Sequence, residues 1–95
     1  MNKYELAVVF NPNLDEAALA SEFESVKALI ERFEGTVEKV DDWGKRRLAY
    51  EIQKVNEGFY NFITFTAPSS APAEIEQRMR IKEKVLRYLL LSVEE

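Results

Sequence analysis

Residues 36–67, TVEKVDDWGKRRLAYEIQKVNEGFYNFITFTA, decide the fold. They hold two runs with the period-two alternation of strands and no helical pattern between them. In residues 36–53, Val37 and Trp43 fall on one parity, and Val40, Leu48, Tyr50 and Ile52 fall on the other. Gly44 sits at the change of parity, which predicts a bulge or bend there. The segment KVNEG, residues 54–58, carries Asn56 and Gly58 and reads as a short hairpin turn. Residues 59–67 follow as a strand rich in aromatic and β-branched side chains.

Each side of this central hairpin carries a strand and a helix. Toward the N-terminus, residues 3–10 (KYELAVVF) alternate, with Tyr4, Leu6, Val8 and Phe10 on one face. An acidic residue interrupts their apolar run, so they read as a first strand and not as a signal peptide. NPNLD then stops the strand: Pro12 has no amide hydrogen for a ladder, and Asn13 or Asp15 can cap a helix. From Asp15 to Phe33 the period changes, and Leu19, Phe23, Val26, Ile30 and Phe33 form one stripe of an amphipathic helix. Gly35 stands where a helix C-terminal glycine belongs. Toward the C-terminus, PSSAP (68–72) leads into a second helix, with Ser70 as cap, Pro72 in the first turn and Ala71, Ile75 and Met79 as its stripe. Residues 84–93 (KVLRYLLLSV) read as the last strand.

The order is β-α-β-β-α-β. It predicts an α+β, ferredoxin-like fold: a four-stranded antiparallel sheet with two helices on one face. At 95 residues the chain is one domain, spanning 1–95. No cysteine and no histidine occur. That removes disulfides, thiolate nucleophiles, Ser-His and Cys-His arrangements and most zinc sites. No metal site and no cofactor are expected, and the remaining carboxylates are scattered. The three glycines build no phosphate loop. The chain reads as a non-enzyme. An acylphosphatase-like hydrolase on this topology would need an arginine and a glycine after the first strand, and VFNPNLD supplies neither.

A sheet covered on one side needs one apolar face. Here the strands are apolar on both parities: Phe59, Ile63 and Phe65 alternate with Tyr60 and Phe62, and Val85, Leu89, Leu91 and Val93 with Leu86, Tyr88 and Leu90. Ordinary surface scatter is one reading. The other is an exposed patch that binds a macromolecular partner, with Tyr60, Phe62, Tyr88 and Leu90 as its candidate residues.

Charge is uneven. The net charge is −4, yet residues 78–87 hold five bases against one acid, and residues 39–54 five bases against three acids. Residues 1–38 hold eight acids and three bases. Two basic segments meeting on one sheet would make a phosphate-binding surface in an acidic molecule. Arginine suits that task because its planar fork takes phosphate bidentately. The competing reading is a solvated face paired locally with Asp41, Asp42, Glu51 and Glu83. Base stacking in the manner of RNA-recognition motifs is disfavoured. EGFYNFITF (57–65) places Glu57, Tyr60 and Asn61 where that pattern needs a base, a small residue and a ring.

WGKRRLAYEIQK resembles the signature of the bacterial small-subunit ribosomal protein S-six family, whose members carry a similar Gly-x-basic-x-Leu-Ala-Tyr-x-Ile run. NPNLD, GTVEKVDDWG, NEGFY and RIKEKVLRYLLL resemble family segments in order and spacing. Glu51 departs from the proline many members carry, and Gln53 from a basic or small residue. The resemblance implies a structural, cytoplasmic constituent of the small ribosomal subunit. It implies binding to the central domain of 16S ribosomal RNA as a heterodimer with ribosomal protein S-eighteen. Matched to the family run and the second basic segment, Lys45, Arg46, Arg47, Tyr50, Arg80 and Arg87 become the expected RNA-binding residues. The alternative is a ferredoxin-like protein-interaction or ligand-sensing module without RNA binding.

Overall fold

The computed structural model describes residues 2–52 and 55–93, the side chains of 49–52 excepted. The elements are β1 (Asn2–Phe10), α1 (Glu16–Arg32), β2 (Thr36–Ile52), β3 (Val55–Ala67), α2 (Ala71–Met79) and β4 (Val85–Ser92). The sheet order is β2-β3-β1-β4, and every pairing is antiparallel. This is the ferredoxin-like arrangement.

The register assigns each side chain a face. Tyr4 pairs with Phe65, Leu6 with Ile63 and Val8 with Asn61. The even residues of β1 and the odd residues of β3 therefore point the same way, toward the helices. There they join Val26, Leu29 and Ile30 of α1 and Ala71, Ile75 and Met79 of α2 in one core. On β4, Leu6 pairs with Leu90 and Val8 with Tyr88. Tyr88 and Leu90 thus lie on the helix-covered face and pack against the core. For these two residues the structure corrects the sequence reading, which put them on an exposed patch. Parity left the face of an all-apolar strand open; pairing to the fully buried Leu6 and Val8 fixes it. The outward residues of β4 are Leu89 and Leu91.

Asp15 caps α1 by accepting a hydrogen bond from the Ala18 amide at 2.7 Å. At the other end of α1 the Gly35 amide donates to the Ile30 carbonyl at 2.9 Å and the Glu34 amide to the Glu31 carbonyl at 3.1 Å, a Schellman closure. The left-handed position in it belongs to Glu34, with φ +66°, and not to Gly35. Gly35 is needed for space: a Cβ there would sit 2.6 Å from Ile30 Cγ2 and 2.8 Å from the Ile30 carbonyl oxygen. Ser70 precedes α2 but makes no side-chain cap.

The expected bulge is present. Register shifts between Asp42 and Gly44, where Gly44 takes φ +71°. A second irregularity lies between Val37 and Lys39. Asn56 and Gly58, expected in a hairpin turn, instead lie inside β3. Gly58 serves packing: a Cβ there would collide with Val9 Cγ1 and lie 3.2 Å from the Phe10 carbonyl oxygen. Residues 46–52 of β2 and 55–58 of β3 run on past the end of β1 as a two-stranded ribbon. Among the described residues no helix is long and apolar enough to cross a membrane.

Candidate nucleic-acid interface

The bulge at Asp42–Gly44 aims Trp43 at the uncovered face of the sheet. Its ring rests on Phe62, centroids 4.7 Å apart and tilted by 55°. The fold is locked locally, because Asp42 Oδ1 accepts the Gly44 amide at 2.9 Å. Trp43 remains 53 % exposed. Arg46 turns back over it: its guanidinium stands 5.8 Å from the ring centroid, and its Nε donates to the Trp43 carbonyl at 3.0 Å. Fixed in this way, the guanidinium loses less freedom when it takes up an anion.

Lys45 and Arg47 have the opposite parity to Arg46. Lys45 pairs with Phe59 across the ladder and holds its ammonium 5.3 Å from that ring. The ribbon thus carries cations on both faces. Tyr50 belongs to β2, but its side chain lies outside the described residues.

The second basic segment curls around a cleft of about 440 Å³ lined by Arg80, Ile81, Lys82, Arg87 and Tyr88, among others. Ile81 is 75 % exposed at its mouth. Lys82 anchors the segment to α1, its Nζ donating to Ser25 Oγ at 2.7 Å. Arg87 pairs with Val9, which pairs with Tyr60, which pairs with Gly44. Arg87 and Gly44 are therefore three strands apart on the open face, about 14 Å at the usual strand spacing. The two basic segments come closer still at Gly58. Arg46 lies directly opposite Gly58, and Leu86 Cδ1 stands 3.6 Å from where a Gly58 Cβ would be. Residues distant in sequence, 46 and 86, thus flank one glycine.

Among the described residues the salt bridges are Lys3–Glu38, Lys27–Glu24 and Lys39–Asp41. None involves Lys45, Arg46, Arg47 or Arg80. Of the carboxylates weighed as local partners, Asp41 pairs with Lys39 and Asp42 accepts a backbone amide; the side chain of Glu51 lies outside the described residues.

Between the two basic segments the open face is apolar. Trp43 and Phe62 adjoin Ala7, which pairs with Leu89, and Tyr60 adjoins Val9. Leu89 and Leu91 are 47 % and 48 % exposed. The sequence reading found Tyr60 and Phe62 and missed Trp43, Leu89 and Leu91 as members of this surface. The register of β4 on β1 is the signal that would have found the leucines.

The chain matches a known family. Residues 3–92 match the model described as Ribosomal protein S6, the S-six family of the resemblance. The chain belongs to the ribosomal protein S6 family. It is 44 % identical to the small ribosomal subunit protein bS6 of Clostridium acetobutylicum over 95 residues, covering 100 % of both chains. It is 46 % identical to the protein of the same name from Clostridium beijerinckii over 92 residues, 97 % of each. The crystal structure of 30S ribosomal protein S6 from Thermotoga maritima superposes with a TM-score of 0.92 at 32 % identity, covering 97 % of this chain and 87 % of that one. Membership makes the chain a structural constituent of the bacterial small ribosomal subunit, a cytoplasmic particle, and not an enzyme. It also decides against a ligand-sensing module.

Proposed function

We propose that the chain holds the central domain of 16S ribosomal RNA at the end of the sheet where its two basic segments meet. Lys45, Arg46, Arg47, Arg80 and Arg87 contact phosphate, with Tyr50 on the same ribbon. The supporting observation is the convergence at Gly58, with Arg46 across the ladder and Leu86, next to Arg87 in the chain, beside it. Local cationic potential governs docking even when net charge is negative.

The open apolar face takes the protein partner, ribosomal protein S-eighteen. Tyr60 and Phe62 serve it together with Trp43, Leu89 and Leu91; contiguous exposed apolar surface of this kind is typical of interaction sites. The division of labour predicts cooperativity. Alone, a chain of net charge −4 binds RNA weakly, and the heterodimer binds it well. Gel-shift titration of central-domain RNA at physiological salt, with and without S-eighteen, tests this. Tight binding by the chain alone would refute the cooperative account.

A further inference from the structure

The helix-covered side carries a second surface of opposite charge. Between α1 and the β2 edge lies a groove of about 390 Å³, walled by Leu19, Ala20 and Phe23 from α1 and by Val40 from β2. Glu16 and Asp42 rim it, and among the described residues no cation lines it. Val40 is 38 % exposed, high for an aliphatic side chain turned toward the helices.

Asn61 completes the lining. Among the described residues it is the buried polar side chain of the sheet, 5 % exposed. Its ladder neighbours offer it little: Val8 on one side is apolar, and Asp42 on the other commits one oxygen to the Gly44 amide. In this groove the Asn61 amide presents both a donor and an acceptor to whatever enters.

We infer that the groove docks a cationic segment of a protein. An aliphatic side chain of that segment lies between Phe23 and Val40. A lysine or arginine reaches Glu16 and Asp42, and the peptide main chain bonds to the Asn61 amide. Charge selects this occupant: residues 1–38 hold eight acids against three bases, a field that repels nucleic acid and attracts a basic peptide. The inference goes beyond the RNA reading and uses none of the arginines on which that reading stands.

The test is a titration of the full chain with a short peptide of alternating arginine and leucine, followed by nitrogen-edited NMR, with a glutamate–leucine peptide as control. The expected result is movement of the Asn61 side-chain amide and of the Phe23, Val40 and Asp42 backbone signals, with no response to the control. Ala20→Phe fills the trough from an exposed helical position without changing charge. It should weaken the arginine–leucine peptide roughly tenfold, a change of about 1.4 kcal/mol. Asp42→Asn keeps the acceptor for Gly44 but removes the charge, and should weaken binding severalfold. Arg46→Ala with Arg47→Ala should leave peptide binding unchanged while lowering RNA affinity, so the two readings fail separately. Signal changes confined to outward acids such as Glu24 and Glu31, or an unaltered affinity in Ala20→Phe, would overturn the inference in favour of plain charge attraction.

Discussion

Replacing Arg46 and Arg47 together by alanine separates a phosphate-binding role from a structural one. Both side chains are exposed and neither joins an ion pair among the described residues. Arg46 makes one cation–π contact and one hydrogen bond, both to Trp43. At an exposed site these are worth about 1 kcal/mol in total. For a domain of this size that is a fall of roughly 4–8 °C in melting temperature at most. The effect on RNA should be larger and of a recognisable form. Each phosphate contact contributes about 0.7–0.9 to the slope of log affinity against log salt. Two lost contacts lower the slope by about 1.4–1.8, so across a fourfold rise in salt the wild type should lose roughly sevenfold to twelvefold more affinity than the variant. Fluorescence anisotropy of labelled central-domain RNA, with S-eighteen present and a series of salt concentrations, gives the slope. Thermal circular dichroism gives the stability. An unchanged slope would show that these arginines touch no phosphate. A loss of several kcal/mol in stability would return them to the role of a local structural pair.

Three further outcomes follow from the packing. Glu34→Gly should stabilise the domain by about 0.5–1 kcal/mol, because a left-handed L-residue costs roughly 1–2 kcal/mol and glycine returns only part of that through unfolded-state freedom; a melting temperature that falls would contradict the helix-end geometry. Gly58→Ala should destabilise by about 1–3 kcal/mol through overpacking against Val9 and the Phe10 carbonyl, and a neutral result in chemical denaturation would mean that β1 and β3 lie further apart there. Leu89→Asp, on the open face at 47 % exposure, should change stability by less than about 1 kcal/mol yet weaken the S-eighteen heterodimer in calorimetric titration; undiminished heterodimer affinity would move the partner elsewhere.

Local periodicity made much of the fold legible. The stripes of α1 and α2, the alternation of β1 and the bulge at Gly44 each depend on spacing within one element. The misreadings share a physical cause. Gly58 has the composition of a turn, but it is fixed by Val9 and the Phe10 carbonyl of β1, which a Cβ would strike. The segment KVNEG looked like a turn because asparagine and glycine favour turns, whereas Val55–Gly58 pair as strand. The faces of Tyr88 and Leu90 were not readable from β4 at all, since a strand apolar on both parities takes its orientation from its neighbour. At the candidate interface the cations and the aromatic residues of β3 were visible in sequence. Their juxtaposition was not, because Arg46 and Leu86 come together only at Gly58. The Asn61 groove was equally hidden, since it needs α1 and two strands to form.

The most direct measurement is a lysine-acetylation footprint, read by mass spectrometry, of the chain free and in its reconstituted complex with S-eighteen and central-domain RNA. Lys45 and Lys84 stand in the two basic segments and are both exposed, while Lys27 lies on α1 beside Glu24. If RNA is held where those segments meet, Lys45 and Lys84 lose reactivity on adding RNA to the heterodimer and Lys27 keeps its own. Lys45 and Lys84 reacting as fast in the full complex as in the free chain would contradict it.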